Sequence, residues 1–349
     1  MKKILYILSV VSLFAVGCTK EIPVSKDYDI NAEVTEIETA LDLTALYCNI
    51  NDSESVDLQK LGEYIVAVGA EVVTFVAPAT VKNSTADGLV DVNFTEWLSA
   101  FVASEECPLN LHYTATRENN SLVMAAAVAE GLTAERKIFN YNGALVDANP
   151  VLHFVVEGLN FVVTEIKDSR ISIPEDWETQ VDAMKNSTTA LKYDESNRNT
   201  RKAELGAILL QTVNNREYKN EGNWVFCVDM NASSKYDINK YAQEFLRAEC
   251  YNDVTEEFLN KKTVYYSTSE YLAASDGYFA LCDVMSKNLL DCALVQYSVY
   301  MPSSENGSRQ NFLYSTNKCW NMFNSFVVDT NAALGTTHYP ILVTIKSEQ

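Results

Sequence analysis

The chain has 349 residues, 27 Lys and Arg against 47 Asp and Glu, and a formal net charge of −20 at pH 7. Such an acidic chain repels phosphate backbones and gains nothing from counterion release, so general nucleic-acid binding is excluded as an expected activity.

Residues 1–17, "MKKILYILSVVSLFAVG", place Lys2 and Lys3 before an apolar stretch from Ile4 to Val16. The stretch is shorter than the roughly 20 residues that cross a bilayer, so it reads as a signal peptide. The following Cys18 resembles the cysteine of a bacterial lipoprotein signal, although Ala15 stands where Leu is more common. Cleavage before Cys18 would leave 25 Lys and Arg against 47 Asp and Glu, a net charge of −22. Two or three acyl chains on Cys18 would anchor the protein by apolar burial. The resemblance implies a Bacteroidetes-type envelope lipoprotein, expected at the outer membrane with its face undetermined. Residues 18–40 are polar and without apolar period, so they read as the lipidated Cys and a tether.

Seven cysteines follow: Cys48, Cys107, Cys227, Cys250, Cys282, Cys292 and Cys319. Their odd number and the lack of a Cys-x-x-Cys pair exclude the common zinc sites. Cys282 and Cys292 are the nearest pair for a disulfide, but apolar runs such as "ALYCNI" favour buried free thiols.

From residue 41 the chain alternates strand-like and amphipathic stretches. Residues 43–50 read as a buried strand, 56–69 as a helix, and 71–78 as a strand ended by Pro78. Strand-like segments follow at 122–130, 136–142, 150–158 and 159–166, then an amphipathic helix at 198–213 and a strand at 223–231 with a polar end. An insert at about 232–295 combines helical stretches with the clustered Tyr265, Tyr266, Tyr271 and Tyr278, possible platforms for a sugar. The segments 293–301, 309–316, 325–330 and 340–345 all read as strands. With no repeat and no low-complexity linker, residues 41–349 are expected to form one large α/β domain.

The succession of strand ends resembles the endonuclease/exonuclease/phosphatase superfamily. The segments carrying the likeness are Asn49 at a strand end, "EVVTFV", "VTEIKD", "RKAELGAIL", "VFCVDMN", "RQNFLYST" and "TTHYPILV". The resemblance implies a four-layer α/β/β/α sandwich of two mixed sheets with the site at one end. It also implies site positions: the first-strand Asn is kept as Asn49, the Asp and Asn of the G-D-F-N motif as Asp229 and Asn231, and the last-strand His as His338. The metal-binding Glu falls at Ala77, a catalytic His at Glu165, one Asp at Asn311 and the other at Thr337.

The family's chemistry uses a divalent metal to polarise a phosphoryl oxygen. Mg²⁺ requires oxygen ligands with at least one carboxylate, which the methyl group of Ala77 cannot supply. Glu71 opens its strand too far from the site to substitute. His338 would lack the carboxylate that fixes its tautomer, a loss of about 10⁴ in a comparable triad. Glu165 would repel a phosphate.

The expectation is therefore a degenerate domain with no cofactor, serving as a binding or accessory module for a glycan or an envelope protein. The alternative is an active Mg²⁺-dependent phosphoesterase or nuclease. Each surviving residue also has a plainer reading: Asp229 and Asn231 as turn caps, His338 as a relic, and His112 and His153 as core residues.

Overall fold

The computed structural model describes residues 42–51, 53–141, 143–167, 195–218, 222–231, 285, 289–297 and 311–346, with backbone alone at 195–202. Cys18, the tether and the four insert tyrosines lie outside the described residues. Within them the order is β1 (Asp42–Asn49), α1 (Leu58–Ala67), β2 (Val72–Pro78), β3 (Thr80–Thr85), β4 (Gly88–Asn93), α2 (Phe94–Val102), β5 (Leu109–Ala115), β6 (Leu122–Ala129) and β7 (Ala134–Lys137). A short 3₁₀ turn (Gly143–Leu145) leads to β8 (Val151–Val156), β9 (Leu159–Glu165), α3 (Glu195–Gln211) and β10 (Trp224–Asp229). The remaining elements are β11 (Leu290–Asp291), α4 (Cys292–Tyr297), β12 (Asn311–Ser315), α5 (Asn317–Met322), β13 (Phe323–Val328) and β14 (Ile341–Lys346). None of the described helices is long and apolar enough to cross a membrane.

The strands form two mixed six-stranded sheets, ordered β13-β14-β1-β2-β6-β5 and β11-β12-β10-β9-β8-β7. β1 runs parallel to β2 and antiparallel to β14, and β10 runs parallel to β9 and antiparallel to β12. The central strands are buried on both faces, which is why they read as continuous apolar runs.

Alternation along β1 sorts its side chains between two layers. Leu43, Ala45 and Tyr47 enter the core between the sheets with Phe161, Val163, Val225, Cys227 and Leu313. Leu46 and Cys48 face the opposite way, into a cluster with Leu61 and Ile65 of α1 and Leu98 of α2. On the outer face of the second sheet, Val162, Trp224, Phe226 and Phe312 meet Leu205, Ile208 and Leu209 of α3. Three apolar interfaces thus separate four layers, the α/β/β/α sandwich expected from the sequence.

Local signals fix the helix starts. Asp57 caps α1 by accepting from the Lys60 N–H, and Asn93 caps α2 by accepting from the N–H groups of Thr95 and Glu96. Gly62 lets α2 approach α1, because a Cβ there would sit 3.1 Å from the Phe101 ring. The bond from the Lys60 N–H, against a smaller opposing effect of burial, holds the Asp57 carboxyl below its ordinary value. A group lowered in this way stabilises above its unfolded pKa and loses that contribution as pH falls through the folded value. Asp57→Ala should therefore lower stability by about 1 kcal/mol at pH 7. The same comparison by urea unfolding near pH 2 should show almost no difference.

Several expectations need correction. The segment 293–301 does not begin as a strand: residues 292–297 form α4, started by Asp291, whose Oδ1 accepts from the Leu294 N–H at 3.2 Å. The run 136–142 is strand only through Lys137. His112 is not a core residue; it is half-buried on edge strand β5, with Nε2 3.3 Å from the Ser99 Oγ. Cys292, by contrast, is a buried free thiol of the kind the sequence favoured, bonded to the Ser315 Oγ at 3.2 Å, while Cys282 lies outside the described residues. The other described cysteines are also free, and burial pushes Cys227 up to about 12, leaving it an inert thiol.

Candidate functional site

The face of each strand that feeds the inter-sheet core carries its alternation on into a polar residue at one end of the sandwich. β1 runs Leu43, Ala45, Tyr47, Asn49; β9 runs Leu159, Phe161, Val163, Glu165; and β10 runs Val225, Cys227, Asp229. β12 begins at the same end with Asn311, opposite Asp229 in register, while Asp229 pairs with Glu165 on the other side. Asn49, Glu165, Asp229, Asn231 and Asn311 are all buried.

The structure therefore brings five of the sequence-assigned positions together and wires them to one another. Asn49 donates from Nδ2 to Asp229 Oδ2 at 2.7 Å and to Asn311 Oδ1 at 2.6 Å, both across the sheet interface. Its Oδ1 accepts from the Asn51 N–H at 2.9 Å, which fixes the orientation of the carboxamide. Asp229 Oδ1 accepts from the Asn231 N–H at 2.9 Å. Asn231 Nδ2 donates to Glu165 Oε1 at 3.0 Å and to the Ile166 carbonyl at 2.9 Å. Asn51 Nδ2 also donates to Glu165 Oε2 at 2.8 Å.

Each carboxylate oxygen of Asp229 and Glu165 thus receives an amide proton, and both protons of the Asn49 and Asn231 carboxamides are used within the network. Asn231 holds this position with φ of 43°, the left-handed conformation that Asn tolerates better than most residues. The turn-capping expectation for Asp229 and Asn231 is met by that backbone bond, and both residues bond to the network as well.

Three participants were not foreseen. Tyr47 donates its hydroxyl to Asn311 Oδ1 at 3.3 Å. Burial, and then the charge of Asp229, with smaller effects of Cys227, Glu165 and Cys48, raise this phenol well above its ordinary value, so it remains a donor. Asn51 was marked in the sequence only by its place two residues beyond Asn49. Asn149 Nδ2 holds the Glu165 carbonyl at 3.0 Å and so ties the β9 end to the turn before β8.

The other assigned positions lie apart from this wiring. Ala77 is fully buried in the cluster under α1 and α2, on the opposite face of the first sheet from Tyr47. Glu71 accepts from the Thr44 N–H at the far end of β1. His338 is buried, and its carbonyl accepts from the Thr336 Oγ1 at 2.8 Å. Thr337 donates its backbone N–H to Ser53 Oγ at 3.0 Å, pinning the His338 segment to the loop after β1. The same packing explains Gly335: φ is +72°, and a Cβ there would meet the Ser55 carbonyl at 3.2 Å.

Among the described residues no group of three or more His, Cys, Asp and Glu side chains could hold an ion. Asn49 meets Asp229 with its N–H, not its oxygen, so a metal at Asp229 would have to displace the bond that joins the sheets.

No family model matches the chain, and no curated protein matches it. Among solved structures, an AP endonuclease from Archaeoglobus fulgidus is similar over 87% of this chain and 99% of its own, with a TM-score of 0.51 and 10% sequence identity. The fold is therefore of the endonuclease/exonuclease/phosphatase type, and at that identity the likeness concerns the fold alone.

Proposed function

We propose that this protein is an envelope lipoprotein, anchored through Cys18, whose endonuclease/exonuclease/phosphatase-like domain is a non-catalytic binding or accessory module. The observation that carries this reading is the state of the Asn49 carboxamide: both its protons are spent on Asp229 and Asn311. In this reading, residues at catalytic positions of the fold have become a latch between the two sheets. The outer membrane is the expected site of the anchor, and a glycan or an envelope protein the expected ligand. A glycan array and a pull-down with the soluble 19–349 fragment separate those two classes.

A metal bound by the folded state would raise its melting temperature in proportion to the logarithm of metal concentration. Thermal unfolding with up to 10 mM Mg²⁺ or Mn²⁺ should show no shift beyond that produced by the same ionic strength of NaCl. The second reading, an active Mg²⁺-dependent phosphoesterase, draws on the neighbouring carboxylates Glu165 and Asp229. A metal-specific shift abolished by Asp229→Ala would favour it.

A further inference from the structure

Among the described residues the two large sheets end on four outer strands, β13 and β5 in one, β11 and β7 in the other. An outer strand leaves a row of N–H and C=O groups ready to pair with another chain, and proteins blunt such edges by shortness, charge or cover. Three of the four are blunted. β11 has two residues. β7 carries Glu135, Arg136 and Lys137 within its four residues. β13 is partly covered by α4: the Tyr297 hydroxyl accepts from the Val328 N–H at 3.1 Å, and the Tyr297 ring lies 6.1 Å from that of Phe326.

β5 has neither charge nor cover. Its sequence, "LNLHYTA", holds no Asp, Glu, Lys, Arg or Pro, and its one irregularity, a bulge between Leu109 and Leu111, sits at the first end. Among the described residues its backbone pairs with β6 alone. Asn110 and Leu111 are exposed, Leu111 to 38%, and His112, Tyr113 and Thr114 are half-buried, while Leu109 and Ala115 at the two ends are buried. The accessible stretch is therefore 110–114, centred on His112.

From this we infer that β5 is the contact between two copies of this chain, paired as antiparallel neighbours about a two-fold axis at His112. An antiparallel edge is complementary to itself, so a second copy fits it without any further sequence. That axis sets Leu111 opposite Tyr113 of the second copy, an aliphatic–aromatic cross-strand pair that the symmetry makes twice, and Asn110 opposite Thr114. Charge favours the same strand. Two chains of net charge −20 repel wherever their carboxylates meet, and an uncharged strand is where they approach with least repulsion. Room exists on the helix side as well: α2 lies beside β5, with the Ser99 Oγ 3.3 Å from the His112 Nε2, and its exposed Ser99, Ala100 and Ala103 are small.

The test is sedimentation equilibrium of the 19–349 protein from about 5 to 200 µM, a range suited to a contact at the small end of specific interfaces. A monomer–dimer equilibrium is expected, and Leu111→Lys should weaken it at least about tenfold while leaving the melting temperature unchanged. In a Cys107→Ser background, His112→Cys should give a disulfide-linked dimer on mild oxidation, because directly opposed residues of an antiparallel pair bring their Cβ atoms to about 5 Å. Ser104→Cys in the same background, exposed but well off the axis, should not. The inference is overturned by a monomer at every concentration, which would leave the edge to an extended segment of another protein. It is equally overturned by a dimer that Leu111→Lys leaves unchanged, or by a His112→Cys variant that cross-links no more than Ser104→Cys.

Discussion

Asn49→Ala should lower the free energy of unfolding by about 3 kcal/mol, read as a reduced urea midpoint with an unchanged slope. The size follows from what the truncation leaves behind. Asp229 and Asn311, both buried, lose the Nδ2 donor that reaches them from the facing sheet. A buried charge or acceptor stripped of its partner carries its full desolvation penalty, whereas an exposed pair such as Lys60 with Asp57 contributes little. Tyr47→Phe removes only the 3.3 Å bond to Asn311 and should cost about 1 kcal/mol. If Asn49 served a ligand and not the fold, its removal would be close to neutral for stability.

The second large effect lies on the other face of the second sheet. Trp224→Ala should cost about 4 kcal/mol, because Trp224 heads the largest fully buried side chains and its removal opens a cavity that rigid neighbours cannot close. Its ring packs 5.2 Å from His153, 5.9 Å from Tyr218 and 6.0 Å from Phe226. His153 itself is buried, with Nε2 3.0 Å from Asn160 Oδ1, so it is the satisfied core histidine that its apolar sequence context suggested. Near-UV circular dichroism and urea unfolding together would read both the loss of packing and its cost. The Asn49 and Trp224 positions lie on different interfaces, so their effects should add in the double variant within about 0.5 kcal/mol.

What the sequence revealed and what it hid follow from the same physics. The strands feeding the inter-sheet core were legible because both their faces are apolar, and the site was legible because that run breaks into Asn49, Glu165 and Asp229 at a common end. The resemblance supplied the order of those ends, which composition alone does not contain.

The hairpin of β3 and β4 was missed because most of its residues, Leu89 and Val90 among them, are exposed and give no periodic signal. Its marker was the Asp87-Gly88 turn, with Gly88 at φ of 123°, and Asn93 announces the helix that follows. The segment 293–301 misled through its β-branched content, while Asp291, the cap that starts α4, sat just before it.

For Ala77, the resemblance assigned the metal-binding position, and the side chain there points into the helix layer, away from the polar network. The wiring itself was not readable. Which lone pair of Asp229 receives which proton depends on two sheets meeting, and residues 49 and 229 are 180 positions apart in the chain.

The central claim is that the acidic residues at this sandwich end join the sheets and do not turn over phosphodiesters. It is tested most directly by hydrolysis of bis(p-nitrophenyl) phosphate and of DNA by the 19–349 protein with Mg²⁺ or Mn²⁺. The expected result is a rate equal to that of metal and buffer alone, unchanged by Asp229→Ala. Metal-dependent turnover that Asp229→Ala abolishes would contradict the account.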